Sequence, residues 1–207
     1  MAEATRALTG EDGRPRGNER YDSVTMTLHW LTAILVVTLF SLAHIWSFFP
    51  HDGPTQITMQ TAHVSLGVVL AAVLIVRLSW RSLLGRRLRP ATTGVTELAA
   101  KGMHYVLYGL LITMAVAGFG KRWVRGHGVE FFGTSIPSPL AFDLSWRPAF
   151  NWVHHWGAWA IIVLAGFHAA AALFHHYAVR DGVLRRMLPG REAPTRGSGG
   201  LTDRPVA

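Results

Sequence analysis

Eleven histidines and no cysteine stand in this chain of 207 residues. Imidazole can bind a transition metal, carry a proton or donate a hydrogen bond. The missing cysteines exclude disulfide frameworks, thiolate zinc sites, iron–sulfur clusters and thioether-linked haem. Two of the histidines have a telling interval. His154 and His168 are fourteen residues apart, which on a helix is about 1,400° of rotation, only about 40° off a common face, and about 21 Å of rise. His155 falls about 140° away from His168 on the same wheel. One face of one helix would then present two imidazoles at two heights.

The elements that must position them are set by charge. Half of the residues are apolar, only 15% are charged, and the mean hydropathy is +0.25. A soluble globule of this size could not hide so much apolar surface. No Asp, Glu, Lys or Arg occurs in 23–51, 53–76, 102–120 or 148–179, and a membrane span needs about 20 apolar residues. The expected fold is all-α, an integral membrane four-helix bundle with helices about 26–47, 60–80, 102–120 and 152–178. None of these windows contains Asp or Glu. A polar segment precedes the first helix and no small-residue cleavage site follows it, so it reads as a retained span and not a signal peptide.

The net charge of +8 belongs to the loops. Sixteen of the twenty Lys and Arg fall in the N-terminal tail, the second connection and the C-terminal tail; the other four are Lys121, Arg122, Arg125 and Arg147. The positive-inside rule therefore puts both termini in the cytoplasm, and nucleic acid is not an expected partner. Residues 1–22 and 189–207 read as disordered cytoplasmic tails around a membrane domain at 23–188. The third connection, about 121–151, is long and carries six Trp and Phe, as expected of a semi-ordered cap in the outer interface.

With that topology the histidines acquire depths. His29 and His104 lie toward the inner side, His63 and His44 toward the outer side, and helix four carries His154 near its outer end and His168 deeper. His44, His51 and His127 read as interface residues. Ionisable groups within a span point to function. A b-type haem takes one axial ligand from each side of its ring, and two imidazoles leave no position open for oxygen. Helix four would supply one ligand to each of two stacked haems. On geometry alone either His29 or His104 completes the inner pair, and either His63 or His44 the outer.

An ordered set of motifs then narrows the choice. Thr27-Leu28-His29-Trp30-Leu31, Phe49-Pro50, His63-Val64-Ser65-Leu66-Gly67, Val76-Arg77-Leu78, Gly166-Phe167-His168-Ala169, His175-His176-Tyr177 and Leu184-Arg185-Arg186-Met187-Leu188-Pro189 resemble the bacterial cytochrome b561 family over about 23–189. The resemblance is greatest to its di-haem members that oxidise superoxide and reduce ubiquinone. It implies two haem b, with His29 and His168 as ligands of the inner one and His63 and His154 of the outer one. It also implies a quinone contact at His175, seven residues beyond His168. A quinone-associated lysine of the family, between helices two and three, has no clear counterpart here; that connection offers Arg86, Arg87 and Arg89.

Three classes of function follow. The first is an oxidoreductase of the inner membrane, moving electrons from superoxide at the outer face to ubiquinone at the inner side. Membrane lipid is then the surrounding partner. The second is a passive haem subunit relaying electrons for a dehydrogenase or hydrogenase. The third, a metal transporter, lacks the carboxylates and thioether clusters that such pathways use. For the first class, Lys121, Arg122 and Arg125 would steer the superoxide anion toward the outer haem, their bland alternative being contact with lipid headgroups.

Overall fold

The computed structural model describes residues 20–85, 88, 94–139 and 143–188. Four long helices dominate it: α1 (Ser23–Ile45), α2 (Pro54–Leu83), α3 (Val95–Trp123) and α4 (Arg147–Phe174). Each is long and apolar enough to cross a membrane. All four begin earlier than expected, and α2 and α3 also end later; α3 at both ends, α2 at its end and α4 at its start run past the charge-free windows into charged flanks. Glu97, ahead of the expected 102–120 window, lies in the first turn of α3, where it pairs with Lys101 at 2.5 Å. The tails at 1–19 and 189–207 lie outside the described residues.

The helix starts have local causes. Asp22 caps α1, its carboxylate accepting from the Thr25 amide at 2.8 Å and from the Thr25 hydroxyl at 2.7 Å, which satisfies a donor that the first turn leaves free. Pro54 opens α2 and Pro148 stands at the start of α4, where a missing N–H costs nothing. The β-branched residues of α1 would weaken a helix in water. In lipid, where each backbone group must be satisfied within its own segment, helix is the structure left to them.

Packing is closest between α3 and α4, and glycine makes it so. A Cβ placed on Gly120 would lie 2.5 Å from the Phe150 ring, and one on Gly157 would lie 2.7 Å from Met114 Sδ. Small residues at such crossings let backbones approach and gain dispersion contacts. Leu74 of α2, Leu111 of α3 and Ile161 of α4 form the buried core at mid-height. Ile34, Val37, Ile75, Val116 and Val163 remain at least half exposed, as side chains facing lipid do.

Four helices put the start of α1 and the end of α4 at one end of the bundle, the terminal end. There a 3-10 turn at Leu184–Met187 folds back onto the start of α1. Trp30 Nε1 donates to the Met187 carbonyl at 2.8 Å, the Tyr21 amide to the Arg186 carbonyl at 3.2 Å, and Trp80 Nε1 to Asp22 at 3.0 Å. The opposite end carries the connection after α3. That cap is more ordered than expected: Val129–Phe131 (β1) and Thr134–Ile136 (β2) form an antiparallel hairpin with Glu130 opposite Ser135. Ser65 of α2, fully buried, clips it down, donating to the Glu130 carbonyl at 3.3 Å and accepting from the Phe132 amide at 3.2 Å.

Candidate metal centres

Two pairs of imidazoles face each other inside the bundle, one on each side of the Leu74–Leu111–Ile161 layer. At the terminal end His29 of α1 meets His168 of α4, ring centroids 6.3 Å apart and planes at 74°. At the hairpin end His63 of α2 meets His154 of α4 at 6.2 Å and 71°. A metal–imidazole bond of about 2.0 Å together with the radius of the ring puts two imidazoles on opposite sides of one metal about 6.3 Å apart between centroids. Both pairs have that span. Among the described residues no three His, Asp or Glu side chains form a cage for a metal ion, so the donor set is one of opposed pairs. It suits a planar macrocycle whose own nitrogens fill the remaining positions.

The surroundings of the four rings differ. Nδ1 of His63 lies 3.0 Å from the Leu39 carbonyl, and donating there fixes the tautomer that leaves Nε2 free to ligate. The indole of Trp46 lies edge-on to the same ring at 5.1 Å. His154 packs against Gly118, where a Cβ would lie 3.4 Å from Cε1 and 3.7 Å from Nδ1. His29 accepts a hydrogen bond at Nδ1 from Arg77 Nη2 at 2.9 Å.

His104, an alternative partner for His168 on sequence, does lie beside it, at 5.1 Å between centroids, with Nδ1 on the Ala100 carbonyl at 2.7 Å. That is too short for an iron held between the two rings. His44, the alternative at the other end, turns to Phe40 and Trp159 and bonds the Phe40 carbonyl at 2.8 Å. His155 is exposed against Trp156, and His51 and His127 are exposed.

The expected cationic trio divides. Lys121 is half-buried and close enough to act electrostatically on His63 and His154. Arg122 Nε donates to the Gly128 carbonyl at 3.3 Å and so braces the connection, while Arg125 is exposed. Of the nearby acids, Asp143 accepts from the Ser145 amide at 2.7 Å, a bond that holds its carboxyl below the usual range.

His175 starts a π-helical turn, His175–Val179, that ends α4. Such turns occur often at functional sites. Its Nδ1 is hydrogen-bonded to Asp181, whose other oxygen accepts from the Val183 amide at 3.1 Å. Arg180, a non-glycine residue at φ +58°, turns the chain so that Asp181 faces back. A cavity of about 390 Å³ opens beside this turn, lined by His176, Tyr177, Arg180, Gly182 and Arg185. The described part of the connection from α2 to α3 adds no lysine to it; Arg86, Arg87 and Arg89 lie outside the described residues.

Gly118 and Asp181 were not singled out by sequence, and Arg77 and Ser65 stood there only within motifs, with no role assigned. For Arg77 a signal existed: it follows His63 by fourteen residues, the interval that separates His154 from His168, and so shares a face with it. The other three act through tertiary contacts that no spacing announces.

Comparison with known proteins agrees with this architecture. The profile of the family described as prokaryotic cytochrome b561 matches residues 20–190. Cytochrome b561 homolog 2 of Escherichia coli K12 is 32% identical over 174 residues, covering 82% of this chain and 92% of the relative. A probable superoxide oxidase CybB of Yersinia pestis is 26% identical over 174 residues, covering 83% and 97%. Cytochrome b562 of Cereibacter sphaeroides is 27% identical over 181 residues, covering 83% and 96%. A match that spans all four helices and both histidine pairs makes this chain a member of the prokaryotic cytochrome b561 family, multi-pass bacterial membrane proteins that transfer electrons with b-type haem.

Proposed function

We propose that the chain is a di-haem cytochrome of the bacterial inner membrane that oxidises superoxide at its hairpin end and reduces ubiquinone at the end carrying both termini. The observation that supports it most is the pair of opposed imidazole couples, 6.3 and 6.2 Å across, at two heights of one bundle. His29 with His168 would hold one haem and His63 with His154 the other. Each haem, when bound, supplies an iron that accepts and releases one electron, and double imidazole ligation closes it to oxygen.

The chain's own residues do the rest. The Leu39 carbonyl orients His63 for ligation, and the Leu74–Leu111–Ile161 layer keeps water out between the two levels. Lys121 places a positive charge beside the pair at the hairpin end, where a small anion would arrive. Two superoxide anions would each give up one electron and leave as dioxygen; ubiquinone takes both electrons and two protons from the cytoplasmic side. With Nδ1 donating to Asp181, His175 keeps Nε2 for the quinone, and when that nitrogen takes up a proton it can donate to the quinone carbonyl and stabilise the charge that builds there. The Lys and Arg distribution supports an orientation with the termini in the cytoplasm.

Purified protein should show two low-spin haems per chain and be reduced by superoxide in stopped flow. Fewer than two haems would overturn the di-haem reading. Two haems that superoxide fails to reduce would leave a relay subunit for a dehydrogenase or hydrogenase.

A further inference from the structure

Arg77 lies in α2, half-buried within a membrane-spanning segment, and its contacts are neutral. Nη2 donates to Nδ1 of His29 at 2.9 Å, and the guanidinium carbon stands 5.2 Å from the centroid of the Tyr108 ring. Tyr108 and a second cation, Arg81, are the groups that act on it electrostatically. Among the described residues Arg77 makes no ion pair. A guanidinium at this depth is costly unless an anion accompanies it. No carboxylate of the described chain meets that need.

The bond to His29 sharpens the point. Arginine can only donate, so Nδ1 of His29 has to accept, and a neutral imidazole accepting there carries its proton on Nε2. A protonated nitrogen binds no metal. His63 shows the arrangement a ligand uses, with Nδ1 on a carbonyl and Nε2 free. For His29 to ligate through Nε2, Arg77 has to leave Nδ1 and find another acceptor. A b-type haem brings two propionate carboxylates, and the guanidinium fork matches a carboxylate in shape and charge.

Resting on the haem reading above, we propose that Arg77 is the propionate receptor of the haem at the terminal end: its guanidinium exchanges Nδ1 of His29 for a propionate carboxylate as haem binds. One residue then couples two events, anchoring the haem edge and freeing the axial ligand. A phospholipid phosphate is the other anion within reach of such a cation, and the ester of haem tells the two apart.

The test uses the full chain carrying His154→Ala, which retains only the His29–His168 pair, synthesised into phosphatidylcholine liposomes. It is supplied with protohaem or with its dimethyl ester, whose propionates cannot ionise. Haem affinity and the optical spectrum are read for each. The parent should bind the ester at least about tenfold more weakly than the acid. Arg77→Gln should bring acid and ester to equal affinity, the acid losing its anchor and the ester gaining from the release of Nδ1 of His29. Arg77→Lys, which keeps a charge, should retain part of the preference and decides the matter if the glutamine variant fails to fold. Equal binding of acid and ester by the parent would overturn the proposal and favour the lipid phosphate. So would a preference that survives Arg77→Gln undiminished. A parent that binds neither compound would overturn the ligand assignment of His29 and His168 itself, a distinguishable result.

Discussion

The imidazole of His154 lies against the backbone of Gly118: a Cβ there would stand 3.4 Å from Cε1, already in van der Waals contact with the ring. Helix α3 thus shapes one wall of the proposed haem site at the hairpin end without giving it a ligand. Gly118→Ala should keep both haems. Gly118→Leu should push the ring out of line with His63 and lose about one haem per chain, while the pair at the other end keeps its spectrum. Two unperturbed haems in the leucine variant would show that His154 is not held there.

Alanine at His29, His63, His154 or His168 should remove about one haem each, since a single remaining imidazole leaves the iron open or the site empty. His104→Ala is the discriminating control. Its ring stands 5.1 Å from His168, so the variant should keep two haems and alter the band shape of one. Loss of a haem from His104→Ala with retention in His29→Ala would exchange their roles. Alanine at His44, His127 or His155 should leave both haems in place.

The bundle was legible in the sequence because lipid makes a harsh demand: charge-free windows of span length leave little besides helix. The pairing of the histidines was half legible. Helical rotation put His154 and His168 on one face but could not choose between His29 and His104, since both reach the level of His168 from different helices. Choosing needs a distance, and distances between helices come from packing. The hairpin escaped notice because its strands are three residues each and are held by Ser65, a residue sixty-five positions from Glu130. Arg77 was read as part of the basic flank and within the Val76-Arg77-Leu78 motif, with no role of its own, since the charge-free window ends at Val76 whereas α2 runs on to Leu83.

Ser65 ties the hairpin to the helix that carries His63. Ser65→Ala would leave the Phe132 amide without its acceptor, a loss of about 1 kcal/mol. The hairpin should become more open to proteolysis between β1 and β2, with both haem spectra intact. Unchanged cleavage would mean that strand pairing alone secures it.

His175→Ala should slow quinone reduction while both haem spectra stay unchanged, because the residue lies a full two turns beyond His168. Asp181→Asn tests the orienting bond separately: the imidazole remains, its negatively charged partner does not. A smaller loss of the same kind is expected from it, read as quinone turnover at saturating reductant. Wild-type turnover in both variants would remove this turn from the quinone site and direct attention to His176 and Tyr177 on the neighbouring cavity.

The last prediction concerns the approach of superoxide. Four cations lie at the hairpin end, the outer one in the proposed orientation, where the positive-inside rule disfavours them, but they are not equivalent. Lys121 is half-buried and acts on both His63 and His154; Arg122 is tied to the Gly128 carbonyl; Arg125 is exposed and reaches Lys121 through its field. Screening at physiological salt weakens an exposed charge within about 8 Å, whereas a charge set in low dielectric keeps its pull. Lys121→Gln alone should therefore account for most of the slowing seen when Lys121, Arg122 and Arg125 are all replaced by glutamine. The triple variant should lower the rate of haem reduction by superoxide about tenfold at low ionic strength and flatten its salt dependence. Reduction by an uncharged donor should hardly change in either variant. Arg125→Gln should affect the salt slope more than the rate at high salt, since its contribution is the part that ions screen. If the triple variant kept the wild-type rate and slope, the cations would be serving lipid headgroups, and electrons would enter this cytochrome from a source that needs no steering.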